Sequence, residues 1–188
     1  VGSRSTLPIL SNVLLEAGDR RLSLTATDLD VTITCSVNAT VEVPGRATLP
    51  VKKLVDITRE LMATDIEIEV DEKSVASIRA GSAFFKVNGL VAEEFPPLPV
   101  FAQNRTVVVP QDKLKGMLRK TSFAVSTDES RFVLNGIYFS LKENKLILVA
   151  TDGRRLALCE EELEISADNQ ADFILPTKAN NELTRLLQ

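Results

Sequence analysis

The chain has no histidine and no tryptophan, and only one tyrosine and two cysteines among 188 residues. Without imidazole it holds no Ser-His-Asp triad, no histidine base and no histidine-ligated metal. Cys35 and Cys159 form no Cys-x-x-Cys pair, so zinc is not expected. Both are expected to be buried, reduced thiols in different domains. No Walker A or Gly-x-Gly-x-x-Gly loop is present, so nucleotide binding has no support and no cofactor is expected. No apolar run approaches the ~20 residues of a membrane span, and no signal peptide is visible. What is present suits a packed core: 44% hydrophobic residues and a mean hydropathy of +0.06.

The chain repeats itself in register. Leu10-Ser11-Asn12 returns as Leu134-Asn135-Gly136, Leu22-Ser23-Leu24-Thr25-Ala26-Thr27-Asp28 as Leu146-Ile147-Leu148-Val149-Ala150-Thr151-Asp152, and Cys35 as Cys159, always 124 positions on. A repeat of this length predicts two copies of one domain. Residues 106–133 precede the Leu134 landmark, and their counterparts would fall before Val1. The expectation is therefore a first copy lacking its opening segment and a second that stops part-way.

A finer repeat lies within each copy. Ala47-Thr48-Leu49-Pro50, Val107-Val108-Val109-Pro110 and Phe173-Ile174-Leu175-Pro176 share the pattern of a short apolar strand, a proline and then a helix. Proline suits the first helical turn because its missing N–H has no partner there. After each proline the stripe recurs at helical spacing: Leu54, Ile57, Thr58 and Leu61; Leu114, Met117, Leu118 and Thr121; Leu183, Leu186 and Leu187. Alternating runs at Arg21–Thr27, Val31–Cys35, Ile66–Val70, Ala83–Val87, Gly136–Leu141 and Lys145–Ala150 predict half-buried strands. Turns are expected at Ala17-Gly18-Asp19 and Glu143-Asn144. The fold class is α+β, with each domain a pair of helices packed on antiparallel sheets.

Charge is unevenly placed. The windows 51–61, 111–121 and 177–187 hold nine basic residues and four acidic ones, a net of +5 in a chain whose total is −4. The remainder is therefore acidic, and most helical cations project away from the apolar stripe. Such a surface suits a protein that holds a polyanion on one side. Asp28 and Asp152 occupy equivalent positions, which favours a turn role over a catalytic one, and Asp152-Gly153 is itself a turn signal.

Six strings in order resemble the bacterial sliding clamp family, the beta subunit of DNA polymerase III. They are Arg4-Ser5-Thr6-Leu7-Pro8-Ile9-Leu10, Leu24-Thr25-Ala26-Thr27-Asp28-Leu29, Leu49-Pro50-Val51-Lys52-Lys53, Glu94-Phe95-Pro96-Pro97-Leu98, Leu134-Asn135-Gly136 and Ala150-Thr151-Asp152-Gly153-Arg154-Arg155-Leu156-Ala157. The resemblance implies clamp domain 1 over residues 1–102, lacking its first helix, and part of domain 2 over 103–188, with domain 3 absent. It implies a non-catalytic, cytoplasmic, nucleoid-associated processivity factor. Its homodimeric ring would encircle duplex DNA without reading sequence and tether the polymerase alpha subunit, the clamp loader and other motif-bearing partners.

The resemblance also implies residue roles. Arg4, Lys52, Lys53, Arg131 and Lys178 match positions near the duplex. Leu134, Thr151, Gly153, Arg154, Arg155 and Leu156 match a cleft that takes short peptides, with Arg154 standing where many relatives carry histidine. That cleft also draws on residues beyond Gln188. Phe85 and Val87 match the ring-closing edge. Two other readings stay open: a duplicated α+β DNA-binding or repair protein, and an interaction scaffold without DNA.

Overall fold

In the computed structural model the described residues are 7–61, 65–98, 106–128 and 130–187. They divide into two units, Val1–Pro99 and Val100–Gln188. The first unit opens with strands β1 (Asn12–Gly18), β2 (Arg21–Thr27), β3 (Thr32–Asn38) and β4 (Gly45–Pro50). These form an antiparallel sheet in the order β3-β2-β1-β4. Helix α1 (Val51–Glu60) follows, then β5 (Glu67–Val70), β6 (Val75–Ala80) and β7 (Ala83–Asn88), a second antiparallel sheet in chain order. The second unit runs α2 (Gln111–Thr121), β8 (Gly136–Lys142), β9 (Lys145–Thr151), β10 (Leu156–Glu162), β11 (Ala171–Pro176) and α3 (Thr177–Leu186). Its sheet order is β10-β9-β8-β11.

The 124-residue period is a period of backbone pairing. Leu14 faces Thr25 across β1 and β2, and Tyr138 faces Val149 across β8 and β9. Leu24 faces Cys35, and Leu148 faces Cys159. Beyond the cysteines the offset grows by two: Val13 faces Leu49, whereas Ile137 faces Leu175. The extra residues fall between β10 and β11. The hairpin turns are Asp19-Arg20 and Glu143-Asn144, all four at positive φ, as the mirror-image turns that suit strand twist require. Gly18, expected in the turn, is the last residue of β1.

Helical stripes meet the core in part. Leu54, Met117, Leu118 and Thr121 are buried, but Thr58 and Leu186 are exposed, so the stripes of α1 and α3 are narrower than the spacing predicts. The three prolines sit at the N-cap, one residue ahead of the first turn. Pro50 and Pro176 are also the last residues of β4 and β11, so one residue ends the strand and starts the helix. Val107-Val108-Val109 is not a strand: Val107 and Val109 lean on the second core while Val108 is exposed. Strands β1, β6 and β10 lie outside the alternating runs named above; the first four residues of β1 are all buried, which erases the alternation that marks a half-buried strand.

Helix α2 packs across β9 and β10, burying Ala157 and half-burying Cys159. Their counterparts on β3, Ile33 and Cys35, are exposed, so the expectation of two buried thiols fails at Cys35. The cause is local: β3 and β10 are both sheet edges, but among the described residues no helix lies across β3 as α2 lies across β10.

The two residues matched to the ring-closing edge face the core of the first unit. Among the described residues β7 pairs with β6 alone, with Val87 opposite Ala76 and Phe85 opposite Ile78. Ala76 and Ile78 are fully buried, Val87 is 2% exposed, and Phe85 packs on the same core. The strand period of two therefore turns both side chains inward. The outward residues are Phe84, over which the Arg79 guanidinium lies at 5.5 Å, and Lys86. Val87→Ala should accordingly lower the unfolding free energy of the first unit by roughly 2 kcal/mol, counting two lost methyl groups and the cavity left. Urea denaturation checks this; a change under 0.5 kcal/mol would contradict the inward placement.

Candidate functional site

The sequence-predicted basic residues separate into two settings. Lys52 and Lys53 stand exposed in the first turn of α1, and Lys178 is exposed at the equivalent end of α3. On α2, Arg119 and Lys120 are exposed in the last turn, where positive charge complements the helix dipole. Three helical cations have partners that can be named within the fold. Lys113 pairs with Glu161 at 3.2 Å, and Arg185 with Glu182 at 2.8 Å. The Lys115 ammonium donates to the Leu187 carbonyl at 2.9 Å. Arg4 lies outside the described residues. Arg131 has a different setting: its Nε is 3.5 Å from Asp128, and its Nη1 lies 3.5 Å from where a Cβ on Gly153 would stand. It therefore adjoins the Thr151–Leu156 segment.

That segment is a turn built twice by the same bonds. In the second unit the Gly153 N–H donates to Thr151 Oγ1 at 3.1 Å, and Thr151 Oγ1 donates to the Arg155 carbonyl at 2.7 Å. The N–H groups of Arg154 and Arg155 donate to Asp152 Oδ1 at 2.9 and 3.0 Å. In the first unit Leu29 N–H donates to Thr27 Oγ1, and Asp30 and Val31 N–H donate to Asp28 Oδ1. Each partner is 124 positions earlier. Both aspartates are turn residues, as their repetition suggested. Gly153 and Leu29 share the special backbone, at φ of 87° and 78°, so the second copy places at this point the residue that accepts it without a Cβ penalty.

The second turn has an added feature. Arg155 Nε donates to Asp152 Oδ2 at 3.0 Å, and the Arg155 guanidinium lies 5.7 Å from the Phe123 ring centroid. Backbone N–H donation from Arg154, then from Arg155, followed by the Arg155 charge, holds the Asp152 carboxyl below the ordinary carboxylate range. Beside it the surface is apolar. Leu156 is 64% exposed, because β10 alternates Leu156 and Leu158 outward against Ala157 under α2. Leu134 is half-buried at the end of the short 3-10 turn Phe132–Leu134, where its carbonyl accepts from Ser126 N–H at 3.0 Å. Thr151 is half-buried, and Gly153, Arg154 and Arg155 are exposed.

Two family models match. The DNA polymerase III beta subunit N-terminal domain covers residues 1–99 and the central domain covers 108–188. The chain belongs to the DNA polymerase III beta subunit family. It is 35% identical to the beta sliding clamp of Bacillus subtilis over 100% of its own length and 52% of that protein. It is 39% identical to that of Pseudomonas putida over 100% of its length and 51% of the relative. The crystal structure of the Bacillus subtilis sliding clamp superposes with a TM-score of 0.95 at 35% identity, covering 100% of this chain and 52% of that one. A Bartonella birtlesii DnaN sliding clamp bound to griselimycin gives 0.91 at 41% identity, covering 100% and 51%. The chain thus spans about half the length of the curated relatives it matches.

As a member of the beta subunit family, the chain brings together Thr151, Gly153, Arg154, Arg155 and Leu156 on one turn and strand, with Arg131 beside them and Leu134 on the adjoining loop. Lys178 stands at the start of α3 in the same unit, and Lys52 and Lys53 stand at the start of α1 in the first unit. Sequence reasoning missed Phe123. Its sole signal was an isolated aromatic just after an amphipathic helix, which ordinarily denotes core, yet the ring is 59% exposed.

Because the ionised Asp152 carboxylate accepts these N–H bonds more strongly than the protonated acid does, its lowered pKa means that its hold on the turn is complete above the ordinary carboxylate range. That hold fades as pH falls through the lowered folded-state value. A carboxyl NMR titration should place the Asp152 midpoint below that of an unstructured aspartate, and an ordinary midpoint would contradict the bonded turn.

Proposed function

We propose that the chain forms clamp domain 1 (residues 1–102) and part of clamp domain 2 (103–188) of a sliding clamp. In this reading the whole protein is a homodimeric ring that encircles duplex DNA, slides without reading bases and tethers the replicative polymerase. It is an accessory subunit, with the polymerase supplying the chemistry. One observation carries this for a member of the family: each proline-led helix displays exposed cations, on α1, α2 and α3 alike, in a chain of net charge −4. Lys52, Lys53 and Lys178, with Arg4 and Arg131, would meet phosphates at long range. Phosphate contacts position a protein on DNA but carry no sequence information, which suits sliding.

Ring closure would use the backbone edge of β7 that no strand among the described residues covers, with Phe85 and Val87 fixing that strand from within. The cleft would be Leu134, Thr151, Gly153, Arg154, Arg155 and Leu156, an apolar strip with a cationic rim. It would take extended peptides with Leu or Phe anchors from the polymerase alpha subunit, the clamp loader and other partners. The protein would act in the cytoplasm at the nucleoid; no described helix is long and apolar enough to cross a membrane.

A clamp held by topology stays on closed circular DNA after loading and is lost when the circle is cut. Full-length protein should show that loss, whereas a site-specific DNA-binding or repair protein would remain bound. Reversing Lys52, Lys53 and Lys178 to glutamate should lower loading and flatten its salt dependence by about one unit of log–log slope per phosphate contact removed. Unchanged loading with an intact fold would remove these lysines from the DNA path. For the cleft, Leu156→Ala should weaken binding of a Leu- and Phe-anchored synthetic peptide on the order of tenfold, the effect typical of a buried anchor. Titration calorimetry measures it, and an unaltered affinity would move the cleft elsewhere.

A further inference from the structure

The exposed ring of Phe123 has no role in the DNA path or in the peptide strip as assigned. It lies in the 3-10 turn Ser122–Ala124 at the end of α2, distant in sequence from β10, and keeps 59% of its surface exposed. A phenylalanine this open gains little by burial. Its recorded ring contact is the Arg155 guanidinium at 5.7 Å. On the same guanidinium Asp152 accepts from Nε at 3.0 Å, and Asp152 is itself held by two backbone N–H groups. Arg155 is thus bonded at Nε to a carboxylate that two backbone N–H groups orient, and faced by an aromatic ring. The side chain stays 59% exposed, and the bond to Asp152 is made through Nε rather than Nη.

We infer that Phe123 is a positioning residue for the peptide cleft: with Asp152 it pre-orders Arg155, so that the Nη groups meet an acceptor oxygen of an extended peptide without first losing rotamer freedom. This rests on the cleft reading above. An arginine on an open strand edge samples many rotamers, and ordering it on binding subtracts from affinity. A ring face and a fixed carboxylate remove that penalty beforehand. The first unit supplies the contrast. The same turn there has Val31 at the position of Arg155 and Leu29 at the position of Gly153, so the bonds that make the turn do not need the arginine. The guanidinium, its carboxylate clasp and the aromatic ring are additions to a turn that folds without them.

The test is a double-mutant cycle in the full-length protein, with a synthetic extended peptide carrying Leu and Phe anchors as the probe. Phe123→Leu, which keeps apolar volume but removes the π face, should weaken the peptide roughly two- to fivefold, as expected for an exposed cation–π contact. Phe123→Tyr should restore wild-type affinity. In the Arg155→Ala background, Phe123→Leu should change nothing further. In the free protein, exchange of the Arg155 Nε proton with water should accelerate in Phe123→Leu while thermal unfolding stays unchanged. Equal weakening in both backgrounds would show that Phe123 touches the peptide itself and would overturn the positioning role. Loss of affinity in Arg155→Ala without any in Phe123→Leu would overturn it too, leaving the cleft reading intact. Wild-type affinity in Arg155→Ala would sink both the positioning role and the place of Arg155 in the cleft.

Discussion

Strands β1 and β8 are the members on which each unit depends. Each is paired on both sides, β1 with β2 and β4, and β8 with β9 and β11. A slip of one residue in either strand would turn its whole apolar set to the wrong face. Local features hold the register. Asn12 Nδ2 donates to Thr48 Oγ1, which in turn donates to the Leu90 carbonyl and so ties β4 to the segment after β7. At Gly136, paired with Pro176, a Cβ would stand 2.6 Å from the Leu175 carbonyl oxygen, so only glycine admits β11 this closely. The strand-to-helix junction at Pro176 and the position of Lys178 follow from that approach.

Helix charge and turn chemistry are consequences of the same duplication but serve different ends. The Thr-Asp turn is kept in both copies because its bonds are structural: one hydroxyl and one carboxylate satisfy backbone groups that no ladder reaches. In the second copy Gly153, Arg154, Arg155 and Leu156 replace Leu29, Asp30, Val31 and Thr32, and the turn acquires two cations and an outward leucine without changing its bonds. A scaffold that stays constant while its side chains diverge lets the two copies present different surfaces on the same turn. The exposed ion pairs here, such as Arg46 with Glu16 and Lys145 with Glu160, are solvent-screened and contribute little to holding either unit together.

Much of the architecture was legible in the chain. The in-register repeat predicted equal sheets because identical spacing of apolar positions demands identical pairing, and the prolines marked helix starts to within one residue. Several placements were not legible. An edge strand and a covered strand carry the same alternation, so the sequence could not say that Cys35 is open and Cys159 half-covered. It also could not say toward which side Phe85 and Val87 point, since period two gives two faces and no sign. Residues such as Asn180, fully inside the second unit at the position where α1 has Leu54, defeat any rule that polar means outside.

The sequence by itself determined the duplication, the α+β class, the helix starts, the turn role of Asp28 and Asp152 and the contrast between basic helices and an acidic remainder. These are written in spacing and composition, which survive without coordinates. Only the tertiary structure decided that Phe123 and Arg131 join the Thr151–Leu156 turn, that Leu156 is open and Val87 closed, and that Lys113 and Lys115 find partners within the fold. Each of those depends on which surface another segment happens to cover, and long-range covering leaves no local periodic trace.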